Sequence, residues 1–277
     1  MDAGALNLTT EISGFGRFLF VRMESAQVDS ALLRSIEALG INFENMHFID
    51  GYPSEDASQR GRLQYLRAEL SMIGERDIRD EDVSHATALI RLEGRAFEPF
   101  VAYEKGLRSL IRRRGGEVHV RMGVQKPRSY TSYAMTQFAY ARALPPASGD
   151  KHELGVVTPQ NKTRDWWEMD WMRRESFFLP RYDQAGNILA KGHALACAAG
   201  IPRINRRLFH HPQGYGLDAG YDFIGYFEFA GPDAQVFRAV MENLRDCTQN
   251  PEWNYVREGP EWWGRRVGRV EELWAST

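Results

Sequence analysis

Apolar residues in the first half of the chain alternate between the spacing of strands and the spacing of helices. Residues 17–23 (RFLFVRM) predict a strand, and residues 30–39 predict a helix because their apolar positions recur every three and four residues. A long amphipathic helix is predicted over 97–115, where a Gly-Gly pair marks its end. Further strands are predicted near 45–51, over 88–94 and over 117–125, with a solvated loop or helix start at 75–82.

The same order of elements returns after residues 143–150 (ALPPASGD), whose Pro, Ser and Gly content indicates a boundary. Strands are predicted at 152–159, 204–211, 221–229 and near 253–259, and helices at 166–178, 192–200 and 233–246. The pattern predicts an α+β fold with two halves, residues 1–147 and 148–277.

Composition narrows the class of protein. The chain has 277 residues, of which 43% are hydrophobic, and its 35 basic and 37 acidic residues leave a formal net charge of -2. No sequence-wide field attracts nucleic acid or an anionic membrane, so a small-molecule partner is expected. Two cysteines are too few for a disulfide framework, and neither a secretory signal nor a run of about 18 apolar residues is present. A cytoplasmic protein is therefore expected.

The most informative stretch is 192–229, in which His193 precedes Arg206 by thirteen residues in an apolar frame. His193 falls on a predicted helix among small residues, and Arg206 falls on the strand that follows. An imidazole on a helix that a flat macrocycle can approach closely is a suitable haem-iron ligand, and a guanidinium can cover the opposite face. The alternative is a histidine that serves only the structure of the helix.

Residues 152–267 resemble the chlorite dismutase family, which also contains the bacterial coproheme decarboxylases. The run INRRLFHH is similar to that family's VKRKLYHS pattern, and YDFIGYFEF to its DFITYFE strand. The resemblance implies two ferredoxin-like halves in a dimeric α/β-barrel-type fold. It implies that His193 binds haem iron, and that Arg206 is the distal residue, where one branch of the decarboxylases has glutamine.

The resemblance also implies further cofactor contacts. The segment TPQNKTRDWW resembles the one that contacts the haem propionates and borders the cofactor. On the distal strand, a glycine stands where threonine is frequent, and near the C-terminus a glutamate is expected to accept the hydrogen bond of the proximal histidine. The alternative for that glutamate is an exposed carboxylate at a strand end. The cofactor contacts carried over in this way are Asn161, Lys162, Trp166, Trp167, Gly225, Phe227 and Glu252.

Two departures from the family pattern bear on function. About ten additional residues lie between Trp167 and His193, and Thr158 stands where the decarboxylases have a reacting tyrosine. The resemblance implies a haem b enzyme that converts chlorite to chloride and dioxygen, in a homo-oligomer expected to be a pentamer. Peroxidase-type oxidation, coproheme decarboxylation, haem-dependent lyase chemistry on a small organic substrate and non-enzymatic haem transport remain alternatives.

Overall fold

The structure of the protein is a computed structural model that describes residues 14–45, 48–49, 52–53, 62–72, 81–126, 130, 152–217 and 220–275. The predicted boundary at 147/148 and the 143–150 segment lie outside the described residues. None of the helices within these ranges is long and apolar enough to cross a membrane.

Each half contributes strands and the helices that cover them. The elements of the first half are β1 (Gly14–Arg22), α1 (Ser30–Asn45), β2 (Phe48–Ile49), β3 (Tyr52–Pro53), β4 (Arg62–Ala68), α2 (Glu81–Ser84), β5 (Ala88–Gly94), α3 (Glu98–Arg112) and β6 (Glu117–Gln125). Those of the second half are β7 (Leu154–Lys162), α4 (Arg164–Glu168), α5 (Trp171–Ser176), β8 (Arg181–Tyr182), β9 (Ile188–Ala190), α6 (Gly192–Ala196), β10 (Asn205–His210), β11 (Phe223–Phe229), α7 (Ala234–Arg245), β12 (Val256–Glu258) and β13 (Trp262–Val267). Short 3₁₀ helices include Ala198–Gly200 and Pro251–Tyr255.

The strand order is the same in the two halves. The first half has the antiparallel order β6-β1-β5-β4, and the second has β13-β7-β11-β10. Each is the order of a ferredoxin-like unit, in which the first strand lies between the fourth and the third. Pairing of β4 with β13 and of β6 with β10 joins the halves into one sheet that curls into a barrel. The predicted fold class is confirmed.

Alternation along β1 shows how the sheet separates two cores. Phe18 and Phe20 point into the barrel, whereas Leu19 and Val21 point outward and pack under α1 and α3. Because both faces are covered, β1 reads as an almost continuous apolar run. In the second half, α7 covers the outer face of the sheet and packs its apolar stripe against Trp263 and other residues of the strands.

Two strands of the nine-stranded sheet, β4 and β13, were not predicted. In β4 the buried Gln64 and the flanking arginines hide the period of two, because the barrel interior here is polar. The predicted last strand corresponds to β12, but β13, which carries Trp262 and Trp263, forms a separate strand after it. The predicted strand near 45–51 falls partly outside the described residues, which contain only the two-residue β2 there. Most of the 75–82 segment also lies outside them.

The barrel interior contains a buried ion-pair network. Arg91 is 3% exposed, lies 4.1 Å from the Tyr226 ring and contacts Gln64 and Glu93. Glu228, 4% exposed, accepts hydrogen bonds from the Tyr226 hydroxyl at 2.8 Å and from Gln64 Nε2 at 2.6 Å. These contacts connect β4, β5 and β11 across the barrel.

Candidate functional site

A large cavity lies on the outer face of the second-half sheet, between the strands and helices α6 and α7. The cavity and its open mouth together contain about 1220 Å³ that protein atoms do not fill. Cross-strand register aligns Arg206 with Phe227 and aligns Leu208, Gly225 and Thr158 in the neighbouring row. Since alternate residues of a strand face opposite sides, these strands contribute one set of side chains to the cavity and another to the barrel interior.

His193 reaches this cavity from α6, as the sequence predicts. Its side chain is 19% exposed, and its Nδ1 donates a hydrogen bond of 2.8 Å to Oε2 of Glu252. A neutral imidazole that donates from Nδ1 keeps its free lone pair on Nε2. The carboxylate therefore selects the tautomer that can bind a metal.

Glu252 lies in the 3₁₀ helix Pro251–Tyr255 and is only 3% exposed. The alternative of an exposed strand-end carboxylate is therefore wrong. Its second oxygen accepts a hydrogen bond of 2.5 Å from Lys162 Nζ. Burial raises the pKa of Glu252, but the charges and hydrogen bonds of Lys162 and His193 outweigh burial and lower that pKa to about 2.

Lys162 is buried with Glu252, and its side chain is 7% exposed. Burial lowers the pKa of Lys162, and the neighbouring carboxylate opposes this effect. The resemblance implies a propionate contact for this lysine, whereas in the structure its ammonium group is hydrogen-bonded to Glu252. The three residues form a buried chain from ammonium to carboxylate to imidazole.

Arg206 lines the same cavity from β10. Its guanidinium carbon lies 5.9 Å from the ring of Phe227, its partner on β11, and Phe227 also lines the cavity. The structure thus brings together the imidazole and the guanidinium that the sequence singles out, one from a helix and the other from the sheet. Arg207, the next residue, faces the barrel interior and lies 3.6 Å from Glu93.

The two adjacent tryptophans have different surroundings. Trp166 is 1% exposed and lines the cavity, and its Nε1 has no hydrogen-bond partner among the described residues. Trp167 does not line the cavity. It stacks on Tyr215 with ring centroids 4.7 Å apart, and its Nε1 donates a 3.1 Å hydrogen bond to Asp222.

Asn161 and Gly225 also lie outside the lining of the cavity. Asn161 alternates with Lys162 on β7 and so faces the other side, where its side chain bonds the backbone of Gly220 and Asp222. A Cβ on Gly225 would lie 2.7 Å from Thr158 Oγ1 and 3.0 Å from the Phe227 ring. The missing side chain thus leaves space that Thr158 and Phe227 fill, rather than open room for a larger substrate.

Several lining residues were not predicted. Leu208 could have been found, because it lies two residues after Arg206 on the same face of β10. Phe178 and Tyr130 carry no comparable signal, since only the tertiary fold brings them to the cavity wall.

Comparison with known proteins bears on the fold. No protein-family model matches the chain, and no curated protein matches its sequence. A double mutant of chlorite dismutase from Candidatus Nitrospira defluvii is similar in structure, with 18% sequence identity, a TM-score of 0.64 and coverage of 95% of both chains. The chain has the chlorite dismutase fold.

Two further solved structures are similar to this chain in fold. The imidazole complex of the Candidatus Nitrospira defluvii chlorite dismutase shares 19% identity at a TM-score of 0.62, covering 96% of this chain and 95% of that chain. A structure named as a candidate chlorite dismutase shares 16% identity at a TM-score of 0.59, covering 94% and 97%. The similarity extends over both halves, whereas the resemblance of the sequence is concentrated in 152–267.

Proposed function

We propose that the protein is a haem-dependent oxidoreductase that converts chlorite to chloride and dioxygen. The observation that carries this proposal is one cavity lined both by His193, hydrogen-bonded to the buried Glu252, and by Arg206. The chlorite dismutase fold supports it.

The residues of the cavity fit a haem. His193 offers a metal-binding nitrogen. The apolar side chains that line the cavity from α7 and from the strands beneath it suit the flat faces of a macrocycle. Trp166 provides a buried N–H without a partner among the described residues, as expected of a group that awaits a polar substituent of a ligand. In this proposal His193 binds the iron of haem b, and Trp166 and Phe227 contact the macrocycle.

Bound haem would supply the redox-active iron at which chlorite is converted. Arg206 then contributes a cation whose charge does not depend on pH in the working range, with N–H donors that suit an oxyanion. The Arg206 guanidinium would hold the chlorite anion in the cavity and would keep negatively charged chlorine species there until chloride and dioxygen are released. Both oxygen atoms of chlorite leave as dioxygen, so the reaction needs no external oxidant or reductant.

Thr158 favours this reaction over decarboxylation. It lines the cavity where the decarboxylases of the resembled family have a reacting tyrosine, and it is 6% exposed. An aliphatic hydroxyl is far harder to oxidise than a phenol and cannot replace it.

A homo-oligomeric, pentameric assembly belongs to the same proposal, and analytical ultracentrifugation measures the number of subunits.

The test is oxygen release from chlorite, followed with an electrode on haem-replete protein. Arg206→Ala should keep the haem and lower the rate about 100-fold to 1000-fold, the usual effect of removing one group that stabilises an oxyanion. Arg207→Ala is the matched control, because Arg207 faces the barrel interior, and its rate should stay within about threefold of the wild type. A haem-replete wild type that releases no oxygen would rule out the chlorite reaction.

A further inference from the structure

The helix that carries His193 is held by the segment that precedes it. The first amides of a helix lack partners within the helix. In α6, the His193 amide donates to the Phe177 carbonyl at 3.2 Å, and the Ala194 amide donates to the Phe178 carbonyl at 3.0 Å. The Gly192 amide donates to the Gln249 carbonyl at 2.9 Å. The end of α5 and the start of α6 therefore form one hydrogen-bonded junction.

Gly192 allows the two chain segments to meet. Its φ is +60°, and a Cβ at this position would lie 2.4 Å from the Leu179 carbonyl oxygen. Any other residue would have to move this backbone. The close approach of Gly192 to Leu179 therefore depends on the absence of a side chain at position 192.

Phe178 extends the junction to the imidazole. It is 6% exposed and lines the cavity, and its ring lies 5.7 Å from the His193 ring at an interplanar angle of 72°. The same ring lies 6.1 Å from Trp166 at 84°. Edge-to-face contacts of this kind prefer particular ring orientations. His193 is thus held at Nδ1 by Glu252 and on its ring by Phe178.

We propose that Phe178 is a positioning residue that, together with Glu252, fixes the rotation of the His193 imidazole. The inference rests on the proposed function, because the rotation of the imidazole matters only if His193 binds haem iron. It assigns a role to the additional residues between Trp167 and His193, which supply the wall beside the histidine. The β8–β9 hairpin within them is not part of the contact, since Tyr182 and Ile188 are exposed.

The test compares Phe178→Leu with Phe177→Leu. Phe177 is the adjacent phenylalanine, and its ring packs on Trp166 at 5.8 Å and Tyr255 at 5.5 Å. In haem-loaded, reduced protein, resonance Raman reports the iron–histidine stretch, which responds to ligand orientation. Phe178→Leu should shift this band and weaken haem binding about tenfold, whereas Phe177→Leu should leave the band in place. Equal shifts in both variants, or no shift in either, would overturn the proposal.

A second measurement needs no haem. Hydrogen exchange in the haem-free protein should speed up by about tenfold at residues 193–197 in Phe178→Leu and by less than about threefold in Phe177→Leu. If the wild type takes up no haem, the proposed function fails while this comparison still tests whether Phe178 holds the helix. Unchanged exchange in Phe178→Leu would overturn the positioning role.

Discussion

The chain of Lys162, Glu252 and His193 is the energetic centre of the site at the residue scale. Two charged groups are buried together, and each is stable there because the other is present. Removing one partner of a buried pair leaves the other charge without compensation, which costs more than the pair itself contributes. The position of His193 therefore depends on residues far away in the sequence.

Glu252→Gln should separate the two roles of this carboxylate. The substitution removes the carboxylate charge that Lys162 Nζ contacts in the buried pair, so the free energy of unfolding should fall by about 3–5 kcal/mol. It also weakens the acceptor of His193, so haem affinity should fall about 10-fold to 100-fold. Urea unfolding and haem titration by absorbance measure the two effects.

A double variant and a control complete this experiment. Lys162→Met combined with Glu252→Gln should recover much of the stability but not the haem affinity. Glu258→Gln breaks a more exposed pair with Arg245 and should cost less than about 1 kcal/mol. Full haem affinity in Glu252→Gln would contradict the role given to the carboxylate.

The sequence predicts only part of this arrangement. His193 and Arg206 follow from residue type, spacing and family resemblance, and the structure places both in one cavity. The contact of Lys162 with Glu252 spans 90 residues, so no local pattern indicates it. Asn161 could have been assigned to the opposite face from the alternation of β7 alone.

At the scale of elements, β10 sets the direction of Arg206. It pairs with β11 over its whole length, whereas its pairing with β6 is limited, within the described residues, to His210 and Val124. The strands β5 and β6 were predicted with the bounds that the structure gives. The strands β4 and β13 were missed because their role in closing the barrel depends on distant partners.

The junction between α5 and α6 can be tested through its glycine. Gly192→Ala places a Cβ against the Leu179 carbonyl at a positive φ, so it should lower the free energy of unfolding by more than about 3 kcal/mol and weaken haem binding. Gly186→Ala is the matched control, since Gly186 also has a positive φ, +85°, but faces open space. It should cost about 1–2 kcal/mol and leave haem binding unchanged. Equal losses in the two variants would show that the close contact at Gly192 is unimportant.

At the scale of the whole molecule, the buried network inside the barrel connects both halves. Gln64, Arg91 and Glu93 come from the first half, and Tyr226 and Glu228 come from the second. Burial raises the pKa of Glu228, but Arg91 and the hydrogen bonds from Tyr226 and Gln64 outweigh burial and hold that pKa below its usual value. Glu228 is therefore a carboxylate at neutral pH, and it is stabilised there by Arg91 and by the hydrogen bonds from Tyr226 and Gln64.

This network predicts how stability depends on pH. Because the pKa of Glu228 is lower in the folded than in the unfolded protein, its contribution is present above the ordinary glutamate pKa of about 4.3 and is lost as the pH falls below it. Glu228→Gln should reduce stability at pH 7 and make the loss between about pH 5 and pH 3 less steep. Urea midpoints across this range measure both effects. An equally steep loss in the variant would contradict a lowered pKa for Glu228.

The central claim is that His193 anchors haem iron in the cavity that Arg206 also lines. Titration of the purified haem-free protein with haem, followed through the Soret band, tests it directly. The control variant is His211→Ala, which removes a histidine that accepts a hydrogen bond from the Gln213 amide. The wild type and this control should both develop the Soret band of a histidine-ligated haem, and His193→Ala should not. A Soret band in His193→Ala that matches the wild type in position and affinity would contradict the account.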